Sequence, residues 1–212
     1  MCELEDPSLA SDELPLIQTI LRYTAPGSEH RNDLQVELIT WVQRQGRPGA
    51  ISISAVLEHA YSRGTVRLPS ADPHAQPIVE PRFCEDDRDT SRLVANVRDC
   101  LAFALAQPLA GYIERVTFPD PTRGIDDEVL TGLVRRFARS GYHPCGTAAM
   151  GPASDPAAVV DQFGRAHAVD GLVIADASIF PEVPRANTNL TSIMTGERIG
   201  EWIRTRPGDY GL

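Results

Sequence analysis

The chain changes its hydrophobic period once. Up to about residue 81 its apolar residues tend to alternate, and beyond residue 86 they recur every three or four positions. Alternation marks half-buried strands, and the longer period marks amphipathic helices. Strands grouped ahead of helices, with no repeated βαβ rhythm, specify an α+β fold rather than a doubly wound sheet. The expected architecture is a mixed or antiparallel sheet backed by helices over about residues 14–141. A separate C-terminal segment, 142–212, follows.

Individual elements follow from local pattern. Residues 1–14 are polar and read as a loose lead. Asp12-Glu13 then precede Leu14, Leu16, Ile17, Ile20 and Leu21, a spacing that fits a helix and a buried extended segment equally. Residues 33–43, with Leu34, Val36 and Leu38 alternating, and residues 51–57 read as strands. Gly64 allows a turn before Val66 and Leu68, Asp72-Pro73 closes that strand, and Pro77 to Pro81 stays extended. A helix is expected over 86–106, with Asp87 and Asp89 at its start and a stripe of Leu93, Val97, Leu101 and Leu105. Pro108 stops it. A second is expected over 124–140. Acids at Asp126, Asp127 and Glu128 and bases at Arg135, Arg136 and Arg139 suit its dipole. Leu130, Leu133, Val134 and Phe137 form its stripe, and Ser140-Gly141 cap it. Residues 191–204 form the last helix.

Charge and composition exclude several classes of partner. The net charge is -9 and the acids are scattered, whereas nucleic-acid binding needs a clustered basic face. No stretch reaches the roughly 18 apolar residues of a membrane span. The acidic start Met1-Cys2-Glu3-Leu4-Glu5-Asp6 is unlike a signal peptide. Cys2, Cys84, Cys100 and Cys145 make neither a CxxC pair nor a zinc pattern, so no metal site is expected. Reduced thiols suit a cytoplasmic location.

Chemistry-bearing residues gather late in the chain. Gly141-Tyr142-His143-Pro144-Cys145-Gly146 sets a histidine among glycines after a helix. That setting can hold a near-neutral base against a flat ligand, although a lone histidine is more often simply packed. Leu172 to Ala175 reads as a short buried strand. It exits through Asp176-Ala177-Ser178, whose small residues leave backbone N–H groups free for a ligand or for an Asx turn. Pro184-Arg185-Ala186-Asn187-Thr188-Asn189 leads into the last helix, where Thr188 or Asn189 serves as an N-cap or faces an electron-rich ligand edge.

Together these clusters resemble the C-terminal signature of the glucose-methanol-choline (GMC) flavoprotein family, in its choline dehydrogenase-like form. The resemblance rests on His143-Pro144-Cys145-Gly146-Thr147 with Met150-Gly151, on Ser154-Asp155-Pro156 with Val159-Val160-Asp161, and on Gly171-Leu172 through Asp176-Ala177-Ser178. Asn187-Thr188-Asn189 before Gly196-Glu197-Arg198 completes it. Upstream, Tyr23-Thr24-Ala25-Pro26, Asn32 to Gln35 and Ser62 to Pro73 resemble the family's substrate-domain segments, so the likeness runs over roughly residues 14–205.

The resemblance implies an FAD-dependent enzyme that oxidises the CH–OH group of a small alcohol. Residues 1–141 correspond to part of the substrate-binding domain, and 142–212 to the segment completing the FAD domain. His143 matches the family's active-site base. Asn187 matches a second position that holds histidine or asparagine and hydrogen-bonds the substrate oxygen. Asp176, Ala177, Thr188 and Asn189 would meet FAD mainly through backbone. No GxGxxG occurs in the chain, so a separate FAD-binding polypeptide is an expected partner and the isolated chain should bind FAD poorly. The alternative is a non-catalytic remnant or accessory binding module without flavin. A serine hydrolase finds no GxSxG elbow.

Overall fold

The computed structural model describes residues 1–10, 13, 15–41 and 49–211. They group into two compact units, Met1–Ser62 with Arg82–Ala138, and Arg63–Pro81 with Arg139–Leu212.

The first unit is an antiparallel sheet with helices packed on it. Its strands are β1 (Cys2–Leu4), β2 (Ile17–Tyr23), β3 (Leu34–Trp41), β4 (Ala50–Leu57) and β7 (Ile113–Val116), ordered β2-β3-β4-β1-β7. The longest pairing, β3 with β4, runs from Leu34 opposite Leu57 to Trp41 opposite Ala50. The expected strand 33–43 is thus found as far as Trp41; residues 42 and 43 lie outside the described ones, as do Asp12 and Leu14.

The start of the chain corrects the sequence reading. Cys2 and Leu4, expected in a loose lead, are 2% and 4% exposed in a core with Ala10, Ile51 and Ala104. β1 lies between β4 and β7. Three residues are too few for an alternation to register, and the flanking acids masked it. The set around Leu16 to Leu21 resolves to the extended alternative but not to a buried one. β2 is an edge strand, and Leu16, Ile17, Ile20 and Leu21 are all exposed.

Two helices complete this unit. α1 (Asp87–Leu105) starts at Asp86, whose carboxylate accepts the Arg88 N–H at 2.9 Å. α2 (Asp127–Phe137) starts at Asp126, which accepts from Val129. Each acid satisfies an orphan donor at a helix start. The α1 stripe differs from expectation. Its most buried face is Asp89, Arg92, Asn96, Cys100 and Ala104, while Leu105 is 64% exposed. The reason is polar. Arg92 binds Asp33 and Asp89, and the Asn96 amide donates to the carbonyls of Gln35 on β3 and Val56 on β4. Leu93 and Val97 pack sideways against the Val94, Leu130 and Val134 cluster. α2 ends at Phe137 with Ala138 as its cap, so Ser140-Gly141 lie beyond it.

The second unit begins with a hairpin, β5 (Thr65–Arg67) against β6 (Ile78–Glu80). Gly64 serves close packing here rather than a turn, because a Cβ would sit 2.4 Å from the Glu80 carbonyl oxygen. The remainder is mostly irregular backbone around a small core of Val160, Ile179, Phe180 and Ile199. The apolar run Leu172–Ala175 makes no strand. Only Val173 bridges, to Arg165, and the chain turns at once into Asp176. The last helix, α3 (Thr188–Thr205), begins earlier than the sequence suggested.

Gly164 ties this unit together. It has φ +77°, and an added Cβ would lie 2.4 Å from the Ile174 carbonyl oxygen and 2.8 Å from Ile199 Cδ1. Gly164→Ala therefore meets left-handed strain and overpacking together, each a cost of about 1–3 kcal/mol. A loss of about 2–4 kcal/mol in urea denaturation is the expected result. A loss under about 0.5 kcal/mol would show that this core is looser than its geometry.

Candidate active site

Backbone hydrogen bonds tie the loop that carries His143 to the Ala177–Ile179 turn. The N–H groups of Gly146, Ala148 and Met150 donate to the carbonyls of Ala177, Ser178 and Ile179 at 3.1, 2.8 and 2.8 Å. Gly146 is required at this crossing, since its φ is +80° and a Cβ would press on the Phe180 carbonyl oxygen at 3.1 Å. Tyr142, just before the histidine, adopts φ +66° and is 91% exposed. Its N–H donates to Ser140 Oγ at 2.9 Å. That tight reversal separates the exposed tyrosine from the half-buried imidazole that follows.

The start of α3 meets this loop. Asn187 occupies the N-cap position yet makes no side-chain cap hydrogen bond. Its amide Nδ2 instead lies 2.8 Å from His143 Nε2. On the other side of the ring, Nδ1 lies 3.1 Å from Thr188 Oγ1 and accepts the Thr188 N–H at 3.3 Å. The imidazole thus takes over part of the capping that Asn187 gives up. His143 and Asn187, 44 residues apart in sequence, form one hydrogen-bonded pair.

The expected cofactor-facing residues fall on the same two segments. Asp176 caps a single turn, accepting the Ser178 N–H at 2.8 Å, which is the Asx arrangement weighed in the sequence. Hydrogen bonds from Ser178, its hydroxyl first and then its backbone N–H, hold the Asp176 carboxyl below its ordinary range. The Ala177 carbonyl is taken by Gly146 and Phe180. Thr188 is 7% exposed, whereas Asn189 is exposed in the uncapped first turn of α3. Beyond the Thr188 N–H, which His143 takes, the N-terminal amides of α3 carry partial positive charge and suit an electron-rich ligand edge such as that of a flavin. A shallow hollow along α3, past Met194, Gly196, Glu197 and Gly200, includes neither His143 nor Asn187.

One contact was not foreseen. The sequence presents the Thr188 hydroxyl only as a cap, and Thr188 as a backbone contact to cofactor. No spacing rule links a threonine at a helix start to a ring 45 residues upstream.

The chain is similar to known proteins in sequence and in fold. A family model described as GMC oxidoreductase matches residues 60–196. The chain is 40% identical over 148 residues to an oxygen-dependent choline dehydrogenase of Cronobacter sakazakii, covering 68% of this chain and 25% of that protein. It is 36% identical over 167 residues to choline oxidase of Arthrobacter globiformis, covering 76% and 30%. A GMC-type oxidoreductase of Mycobacterium tuberculosis matches at 38% over 152 residues, covering 71% and 28%. The chain therefore spans under a third of the length of these relatives. Among solved structures, pyridoxine 4-oxidase from Mesorbium loti superposes with a TM-score of 0.78 at 23% identity, covering 90% of this chain and 38% of that one. A fungal aryl-alcohol oxidase superposes with a TM-score of 0.66 at 30% identity, covering 82% and 28%. With the model match spanning the histidine loop, Asn187 and the first turns of α3, the chain belongs to the GMC oxidoreductase family.

Proposed function

We propose that this chain provides the proton-handling part of an FAD-dependent oxidoreductase that acts on the CH–OH group of a small alcohol. In this reading residues 1–141 belong to the substrate-binding part, and 142–212 complete the FAD domain. The observation that carries it is the His143–Asn187 pair, 2.8 Å apart at a helix start without a side-chain cap. FAD, when bound, supplies the two-electron acceptor for the hydride leaving the alcohol carbon.

The chain's own residues handle the proton. A substrate hydroxyl that displaces the Asn187–His143 hydrogen bond can donate to His143 Nε2 while its oxygen accepts from the Asn187 amide. An amide does not take up a proton at neutral pH, so the base role falls on His143 alone. Removing the hydroxyl proton raises electron density on oxygen and lets the carbon release hydride; the products are the carbonyl and a protonated imidazole. Asn189 and its neighbours in the first turn of α3 are the residues suited to hold the flavin, with Asp176 and Ala177 alongside.

The experiment supplies what the sequence lacks, a Gly-rich nucleotide-binding unit. The chain is mixed anaerobically with FAD and a polypeptide carrying that unit, and the flavin band near about 450 nm is followed as alcohols are added. Bleaching is expected with both polypeptides present and not with this chain and FAD alone. Flavin that is bound in the mixture yet stays oxidised with every alcohol class would overturn the reading and favour a non-catalytic module. Tight stoichiometric FAD on the chain alone would contradict the division of labour.

A further inference from the structure

The five-stranded sheet of the first unit ends in two unlike edges. β7 (Ile113–Val116) is four residues long and carries Glu114 and Arg115 at its middle, both exposed. Arg115 makes two hydrogen bonds to Glu3 on β1. Shortness and charge are how an edge strand is kept from pairing with another chain. β2 (Ile17–Tyr23) has neither protection. It runs for seven residues with a single charge, Arg22, and no proline. Among the described residues it pairs with β3 alone, so one row of its N–H and C=O groups faces outward. Its apolar residues are exposed on both faces of the sheet. Ile20 lies opposite Glu37 and Leu21 opposite Val36, and successive residues of a strand point to opposite faces. Water can satisfy the backbone row but not the isoleucine and leucine on either side of it. One further strand answers both needs.

We propose that this strand is β2 of a second copy of the chain, paired antiparallel about a two-fold axis through Ile20. Residues directly opposed in an antiparallel ladder share a face, so a two-fold axis normal to the sheet passes through a residue that faces itself. Ile20 is the midpoint of Ile17–Tyr23, and a centre there pairs the most strand. It sets Ile20 against Ile20, Thr19 against Leu21, and Gln18 against Arg22. No like charges meet in this register, whereas a centre at Arg22 would oppose two guanidinium groups. The contact is isologous. With β7 blunted, each chain offers one open edge of this sheet, so the pairing closes at two copies instead of growing into a fibre. The net charge of -9 on each chain opposes the approach. Salt screens that repulsion, so the dimer should tighten as salt rises.

Sedimentation equilibrium of the 212-residue chain over a wide concentration range tests the pairing, with hydrogen exchange of the β2 amides read at both ends of that range. The expected result is a concentration-dependent dimer in which β2 amides exchange more slowly than in the monomer. Ile20→Lys opposes two ammonium groups at the axis and should weaken the dimer by about tenfold or more. Gln18→Glu faces the partner's Arg22 and should tighten it by about two- to tenfold, although it adds negative charge to each chain. A chain that stays monomeric at every concentration overturns the proposal, whether or not the variants fold. So does β2 protection that appears only when a nucleotide-binding polypeptide is added, which would name a different occupant. A dimer that both folded variants leave unchanged places the contact elsewhere and also overturns it.

Discussion

Arg92→Ala is expected to destabilise the first unit by about 3–5 kcal/mol, the cost of removing one partner from a buried ion network. The Arg92 side chain is 9% exposed, and its partners Asp33 and Asp89 are 0% and 1% exposed. Its guanidinium donates to Asp33 and Asp89 at 2.8 Å each, to the His59 carbonyl at 2.9 Å and to the Arg88 carbonyl at 3.1 Å. Truncation leaves two carboxyl groups in the interior with no cation. Against the roughly 5–15 kcal/mol that holds a domain together, that loss leaves little. Lysine is a poor substitute, since one ammonium cannot reproduce the planar fork. Urea denaturation measures the loss as a lower midpoint at unchanged slope. A loss below about 1 kcal/mol would show that the network adds little to the fold.

The same network sets an acid limit. Burial works to raise the Asp33 pKa, but hydrogen bonds from Ser28, from the Ala25 N–H and from Arg92 outweigh it and pull the carboxyl below its ordinary value. A group depressed in the folded state contributes stability above its unfolded pKa of about 3.9, and that contribution is lost as pH falls through the folded value. The acid limb of the stability curve should therefore steepen below about pH 4 and flatten in Asp33→Asn.

Long periodic segments were legible in the sequence. β3, β4, α1 and α2 show their period over many residues, and aspartates marked the starts of α1 and α2. β1 and β7 were not legible, because three or four residues cannot display a period and their pairing partners lie far along the chain. The α1 face was misread for another reason. Apolar recurrence at Leu93, Val97, Leu101 and Leu105 follows the flank of the helix. The contact that buries it is the ion pair to Asp33, 59 residues away. In the site, His143 and Asn187 came from family resemblance, since neither stands out by spacing alone. The Thr188 hydroxyl contact depends on where α3 begins, and a loop-to-helix boundary is the least legible feature of a sequence.

In an enzyme that contains this chain together with its nucleotide-binding part, His143→Ala should slow alcohol oxidation by about 10²- to 10⁴-fold, the usual reach of a general base. An alcohol holding its proton is a poor hydride donor, and an alkoxide-like oxygen drives the hydride out. The other histidines offer no substitute in the same loop. His30 lies 2.8 Å from the Tyr61 hydroxyl, and His167 Nε2 lies 3.0 Å from the Gly151 carbonyl oxygen. Removing His143 also frees Asn187 and leaves the Thr188 N–H at the start of α3 without its acceptor, so some stability will be lost. The rate must therefore be taken per bound flavin.

Anaerobic stopped-flow reduction of the flavin by alcohol, normalised to bound flavin and followed across pH, reads that step directly. The expected result is a rate in His143→Ala lower by about 10²- to 10⁴-fold, with a pH profile unlike the parent's. A variant that keeps the parent rate and the parent pH profile would contradict the account and leave His143 a packing residue.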